Sequence, residues 1–128
     1  MPQTFIEEKG ISKKIDDFID AYHKTYKVER IPSPVSAAQG YDAVLIFAEA
    51  VKQAKSTDSR KIKLALEDLK APVKGVIATW NKPYMKWDPA NVETHEAFRR
   101  PQVVMGKVEN GRVVFANPAD KEIGRAHV

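Results

Sequence analysis

The chain of 128 residues contains no cysteine. Disulfide frameworks and thiolate metal sites are therefore excluded, although this absence does not identify a compartment. No apolar run approaches the roughly 20 residues that a membrane-spanning helix needs. The amino terminus also lacks the basic region and apolar core of a signal peptide. The sequence has no glycine-rich phosphate loop, Gly-x-Ser-x-Gly motif or cysteine nucleophile, so we expect no catalytic machinery and no enzyme activity.

Charge of one sign is not concentrated anywhere in the chain. The formal net charge is +4, from 21 basic and 17 acidic residues in mixed order. The densest basic groups, Lys9 to Lys14 and Arg99-Arg100, are short and have no interleaved aromatic residues. A nucleic-acid partner is therefore not expected, because such binders cluster basic charge beside stacking rings.

The remaining polar residues do not form a recognisable reactive set. His95 lacks the second histidine at i+4 that a helical zinc motif requires, since position 99 is arginine. Glu7-Glu8 and Asp16-Asp17 are adjacent pairs, whose side chains diverge on a helix and suit neither a shared proton nor acid/base work. We interpret them as solvated charge and expect no metal site and no cofactor.

Hydrophobic periodicity predicts a first helix over residues 12–26, capped by Ser12. A proline-containing loop over residues 27–34 follows this helix, because the helix cannot continue through Pro32 and Pro34. The stripe that defines this helix is Ile15, Phe18, Ile19, Tyr22 and Tyr26.

A second helix, predicted over 36–55, is apolar on almost every side, and this pattern predicts burial all round. Ser56 to Ser59 offer caps for a third helix, which ends before Pro72. Residues 76–80 predict a short strand. Strands over 103–108 and 112–115 flank Asn110-Gly111, whose sequence favours the type I′ turn of a β-hairpin.

Short blocks of sequence carry a family resemblance through their order and spacing. They resemble the carboxy-terminal part of the branched-chain amino acid binding proteins, the substrate-binding components of amino-acid and amide ABC transporters. The resemblance covers roughly residues 12–118. The blocks are Phe18-Ile-Asp-Ala-Tyr22, the proline loop, Gly40-Tyr-Asp-Ala43, Ser56-Thr-Asp58, Ala65-Leu66 and Lys74-Gly75.

The resemblance implies an α/β fold, specifically a fragment of a type I periplasmic binding protein with three helices, a short strand and a carboxy-terminal β-hairpin. Residues 1–98 would contribute to one lobe, and 99–121 would form a hinge crossing and the terminal hairpin. The implied hinge residues are Arg99, Arg100, Pro101, Gln102 and Val103. We expect a periplasmic full-length parent and a fragment that lacks its signal peptide. Residues 122–128 match a translated sequencing adapter, and we interpret them as such a tail.

The same resemblance places ligand contacts at Val35, Ser36 and Ala37, beside the amino terminus of the second helix. A helix amino terminus presents unpaired N–H groups and partial positive charge, which suit a carboxylate or carbonyl. The alternative interpretation is that Ser36 only caps this helix.

The implied function is capture of amino acids or related small organic solutes for uptake, with an ABC transporter permease as the membrane partner. Two alternatives stay open at the level of sequence. One is a ligand-sensing regulator or receptor domain of the same fold, and the other is a small basic interaction domain.

Overall fold

The computed structural model describes residues 5–95, 97 and 104–121. The predicted hinge, from Arg99 to Val103, and the predicted adapter tail, 122–128, lie outside the described residues. Within the described part, the element order is three α-helices, an antiparallel strand pair interrupted by a turn, a short 3-10 helix and a β-hairpin. This mixed α/β content is compatible with part of a periplasmic binding protein.

The first helix, α1 (Lys13–Tyr26), confirms the prediction. Ser12 Oγ accepts a hydrogen bond from Ile15 N at 3.3 Å and so pairs one of the free donors of the first turn. The helix ends at Lys27, which adopts the left-handed conformation with φ of 54°. Its buried side chains are Ile15 and Ile19, both on the predicted stripe.

The second helix, α2 (Pro34–Ala54), begins two positions earlier than predicted, because Pro34 starts it rather than preceding it. Proline suits the first helical position, because the backbone N–H at that position has no intrahelical partner whichever residue occupies it. The third helix, α3 (Ser59–Glu67), is capped by Asp58, whose Oδ1 accepts from Arg60 N at 3.1 Å and Lys61 N at 3.0 Å.

The prediction that α2 is buried all round is wrong in the described structure. Only one stripe is buried, and Val44 and Phe47 remain 66% and 52% exposed. The reason is that α3 and the β-strand at residue 73 pack on a single side of α2. The buried stripe follows the i, i+4 spacing and consists of Ala38, Asp42, Ile46 and Ala50.

Of the strand predicted over 76–80, only the last two residues, Thr79 and Trp80, form a strand. Strand β1 (Val73–Lys74) pairs antiparallel with β2 (Thr79–Trp80), and residues between them turn the chain. The intervening Val76 and Ile77 donate their N–H groups to a side chain of α2 rather than to a strand. The tertiary contact therefore replaces the ladder that their β-propensity favours.

The predicted hairpin is present as β3 (Gly106–Glu109) and β4 (Arg112–Phe115), with Glu109 opposite Arg112. Asn110 and Gly111 have φ of 50° and 72°, as a type I′ turn requires. The first strand is shorter than predicted, since the described residues 104 and 105 precede it without strand structure.

The amino-terminal segment belongs to the core, and the prediction that Glu7 and Glu8 are solvated charges is wrong. Glu7 accepts from Ile31 N at 2.9 Å, while Glu8 accepts from Phe115 N at 3.1 Å. These bonds hold the segment against the loop before α2 and against the hairpin. The buried apolar residues are Phe5, Ile6, Ile11, Ile15, Ile19, Ile31, Ala38, Ile46, Ala50, Ile62, Ala65, Leu69, Val73, Val76, Ile77, Trp80 and Phe115.

Among the residues that the structure describes, none of the helices has the length and apolar character needed to cross a membrane.

Candidate functional site

The amino terminus of α2 is the candidate site that the sequence predicted. Ser33 occupies the cap position, but its side chain makes no cap hydrogen bond, and Pro34 has no N–H. Ala37 N donates to Ser33 O at 3.0 Å. The N–H groups of Val35 and Ser36 cannot be paired within the helix, and among the described residues no side chain caps them.

The alternative interpretation of Ser36 as the helix cap is wrong. Ser36 lies inside α2, and its Oγ accepts from the Oγ of Ser33 at 2.9 Å. The first turn of α2 carries no acidic side chain to offset the partial positive charge of the helix terminus. Within the described part of the chain the terminus therefore presents donors that no side chain of the first turn offsets, which favours the holding of an anionic group.

The structure separates the three predicted ligand residues between two cavities. Ser36 and Ala37 line a groove of about 710 Å3 between α1 and α2. Val35 instead lines a cavity of about 290 Å3 beside Arg30 and Arg112. The residues are consecutive, but helical geometry turns Val35 to a different side of the terminus.

Aromatic rings form much of the groove wall. Phe18 of α1 meets Tyr41 of α2 edge-to-face, with ring centroids 5.2 Å apart. Tyr22 and Tyr26 are in contact along α1, with ring centroids 4.5 Å apart and ring planes tilted by 45°. The groove thus combines the polar helix terminus at one end with an apolar, aromatic wall along its length.

A buried carboxylate that sequence reasoning missed fixes the position of α2. Asp42 is 0% exposed, and its oxygens accept from Val76 N at 2.6 Å, Ile77 N at 3.0 Å and Trp80 Nε1 at 2.9 Å. These bonds tie the middle of α2 to the turn between β1 and β2. The available signal was an acidic residue in the middle of an otherwise apolar helical segment.

Gly75 is part of the same arrangement. A Cβ atom at this position would lie 2.1 Å from Asp42 Oδ2, so only glycine allows the carboxylate to approach the turn this closely. The sequence blocks Gly40-Tyr-Asp-Ala43 and Lys74-Gly75 are therefore joined by one tertiary contact.

A second polar cluster joins α3 to the segment before the hairpin. Glu67 Oε1 lies 2.8 Å from Lys63 Nζ and 2.8 Å from His95 Nε2, and it accepts from Trp87 N at 3.2 Å. The hydrogen bonds from Lys63 and His95 lower the pKa of Glu67 from 4.5 to about 2.

This cluster lies at the edge of a cavity of about 650 Å3, whose walls include Phe47, Ile62 and Leu66. His95, for which the sequence predicts no zinc motif, is half-buried and has its ring centroid 5.0 Å from that of Trp87. No group of three or more potential metal ligands occurs in the described residues. The cluster anchors the chain through hydrogen bonds.

Comparison with known proteins gives one family match. The sequence model of a family described as periplasmic binding protein matches residues 1–90. This interval includes α1 to α3, the terminus of α2, and both partners of the contact between Asp42 and Gly75. Neither the curated proteins nor the solved structures provide a significant match.

Proposed function

The chain belongs to the periplasmic binding protein family, and we propose that it captures amino acids or related small organic solutes for uptake. Members of this family generally bind small-molecule ligands and work with membrane permeases, and the family implies a periplasmic location for the full-length protein. The finer proposal is a branched-chain amino acid or amide as the solute and an ABC transporter permease as the partner. It rests on the resemblance of the sequence blocks that surround α2.

The observation that carries this proposal is the uncapped terminus of α2. The N–H groups of Val35 and Ser36 lie at the positive end of a helix of 21 residues without an acidic side chain in its first turn. An amino acid brings a carboxylate, which such a terminus stabilises through hydrogen bonds and through the helix dipole.

The groove supplies the rest of the proposed site. Ala37 and Tyr41 line it beyond Ser36, so an apolar solute side chain would contact them while its carboxylate stays at the terminus. The cavity beside Val35 is lined by Arg30 and Arg112 together with Glu7, so its charged side chains leave a net positive charge near the same terminus. These features favour an anionic group attached to an apolar body.

The proposed role is capture without chemical conversion. Solute binding would stabilise the closed arrangement of a two-lobed binding protein, as a shift of population between conformations, and the permease would recognise the closed form. Donors for a carboxylate and a groove for the side chain are the contribution of this chain to that role.

Isothermal titration calorimetry of the chain with leucine, isoleucine, valine and their amides tests the proposal. Ser36→Trp places a large ring in the groove, and we expect it to abolish the binding heat. Ala48→Trp is the matched control, because Ala48 is an exposed position of the same helix outside the groove. Circular dichroism confirms that both variants keep their helices. Unchanged affinity in Ser36→Trp, or no binding of any of these solutes by the unsubstituted chain, contradicts the proposal.

A further inference from the structure

We propose that the cavity beside α3 binds a small uncharged aromatic molecule with one hydrogen-bond donor, such as an indole or a phenol, and that Glu67 Oε2 accepts this hydrogen bond. We call this cavity the α2–α3 cavity and define it by six of the residues that line it: Phe47, Ile62, Lys63, Leu66, Glu67 and Tyr84. Among the described residues, none lines both this cavity and the groove between α1 and α2. The inference therefore goes beyond solute capture.

One oxygen of the Glu67 carboxylate is the first observation. Lys63 Nζ, His95 Nε2 and Trp87 N all contact Oε1, and among the described residues no donor contacts Oε2. A carboxylate accepts through both oxygens, so Oε2 can accept a further hydrogen bond.

The α2–α3 cavity gives access to this oxygen. The side chain of Glu67 is only 7% exposed, yet no fully buried side-chain oxygen or nitrogen in the described part of the chain lacks a hydrogen-bond partner. Oε2 therefore keeps some accessible surface. Because Glu67 lines the α2–α3 cavity, a molecule in the cavity can reach that surface.

The α2–α3 cavity has the size and the walls of a small-molecule site. Its volume is about 650 Å3, within the range of roughly 300–1,000 Å3 that is usual for such sites. Phe47 of α2, Ile62 and Leu66 of α3, and Tyr84 supply apolar wall from three parts of the chain. Phe47 is 52% exposed, so an apolar occupant would remove part of its surface from water. The rings of Phe47 and Tyr84 suit an aromatic occupant in particular.

The charges of the cavity select an uncharged occupant. Apart from His95, the charged side chains that line it are Lys63 and Glu67, which lie 2.8 Å apart and balance each other. A cationic ligand at Oε2 would be repelled by the Lys63 ammonium group, and an anionic ligand would be repelled by the Glu67 carboxylate. A wholly apolar molecule would cover Oε2 without giving it a hydrogen bond, at a cost in free energy. An aromatic molecule with one N–H or O–H donor avoids both penalties.

An NMR titration that follows the backbone amide shifts of the unsubstituted chain tests the donor, with indole and benzofuran as probes. Benzofuran has the shape of indole, but an oxygen atom replaces its N–H group. We expect indole to bind about tenfold more tightly, because a hydrogen bond to a charged acceptor is a strong one. Tryptamine, which adds an ammonium group to indole, should bind more weakly than indole. Equal affinity for indole and benzofuran, no binding of indole, or tighter binding of tryptamine overturns the proposal.

Glu67→Gln tests the acceptor without changing the size of the side chain. The new amide has one oxygen, which Trp87 N and His95 Nε2 would occupy, so its NH2 group would face the cavity in place of Oε2. We expect the preference for indole over benzofuran to disappear while benzofuran still binds. A preference that persists in Glu67→Gln would show that Oε2 is not the acceptor.

Three tryptophan variants test where indole binds. Ser59→Trp places a large ring in the α2–α3 cavity, and Arg60→Trp is its matched control, because Arg60 is the next residue of α3, is exposed and does not line the cavity. We expect Ser59→Trp to weaken indole binding about tenfold or more, because its ring fills space that the probe needs, and Arg60→Trp to change it little. Ser36→Trp, which obstructs the groove between α1 and α2, should leave it unchanged, so this inference and solute capture can fail separately. Equal effects of Ser59→Trp and Arg60→Trp, or loss of indole binding in Ser36→Trp, would place the probe elsewhere and contradict the proposal.

Discussion

Removal of the Asp42 carboxylate tests the contact that joins α2 to the turn between β1 and β2. Asp42→Ala leaves Val76 N, Ile77 N and Trp80 Nε1 without their acceptor. A buried polar group that loses its partner costs about 1–3 kcal/mol, so we expect the free energy of unfolding to fall by at least about 3 kcal/mol. This is a large share of the roughly 5–15 kcal/mol that stabilises an ordinary domain.

Gly75→Ala probes the same contact from the other side. The new methyl group would lie 2.1 Å from Asp42 Oδ2, so the turn must move and the hydrogen bonds to the carboxylate must weaken. We expect a loss of about 1–3 kcal/mol, by analogy with overpacking of a core. Gly40→Ala is the matched control, because its added methyl meets nothing within 4 Å. In a helix interior this change should increase stability by roughly 0.5–1 kcal/mol.

The double variant decides whether the two residues act on each other. In the Asp42→Ala background the carboxylate that obstructs the methyl group of Gly75→Ala is gone, so the second substitution should cost at least about 1 kcal/mol less than it does alone. Urea unfolding followed by circular dichroism and tryptophan fluorescence measures all four proteins. Equal costs of Gly75→Ala in the two backgrounds would refute the reasoning.

Two further predictions concern α3. The pKa of Glu67 is lowered from 4.5 to about 2, so its ionised form stabilises the fold above pH 4.5, and this contribution is lost as the pH falls towards 2. The urea concentration at the unfolding midpoint should therefore decrease as the pH falls through this window, and it should decrease less steeply in Glu67→Gln. An identical dependence on pH in the two proteins would contradict the stabilising role of ionised Glu67. Asp58→Ala removes the cap of α3 and should lower the free energy of unfolding by about 1 kcal/mol, whereas Ser59→Ala, one position later, should change it little. Equal effects of the two substitutions in chemical unfolding would argue against the cap.

Several elements could be predicted from the sequence because their causes lie within a few neighbouring residues. Ser12 and the apolar stripe that begins at Ile15 specify α1, and Asn110-Gly111 specifies the hairpin turn. The family resemblance likewise came from local blocks, and the match over residues 1–90 supports it at the level of the periplasmic binding protein family. The predicted solute contacts at Val35 and Ser36 stay a prediction.

The tertiary structure decided which sides of these elements are buried and which polar groups meet. Periodicity shows that α2 is apolar on several sides, but only the positions of α3 and β1 select the stripe that contains Asp42. The contacts of Asp42 with Val76 and of Glu67 with His95 span 34 and 28 positions of the chain. A capping bond depends on the local backbone alone, whereas a buried carboxylate is stabilised by donors that only the folded path of the chain brings to it.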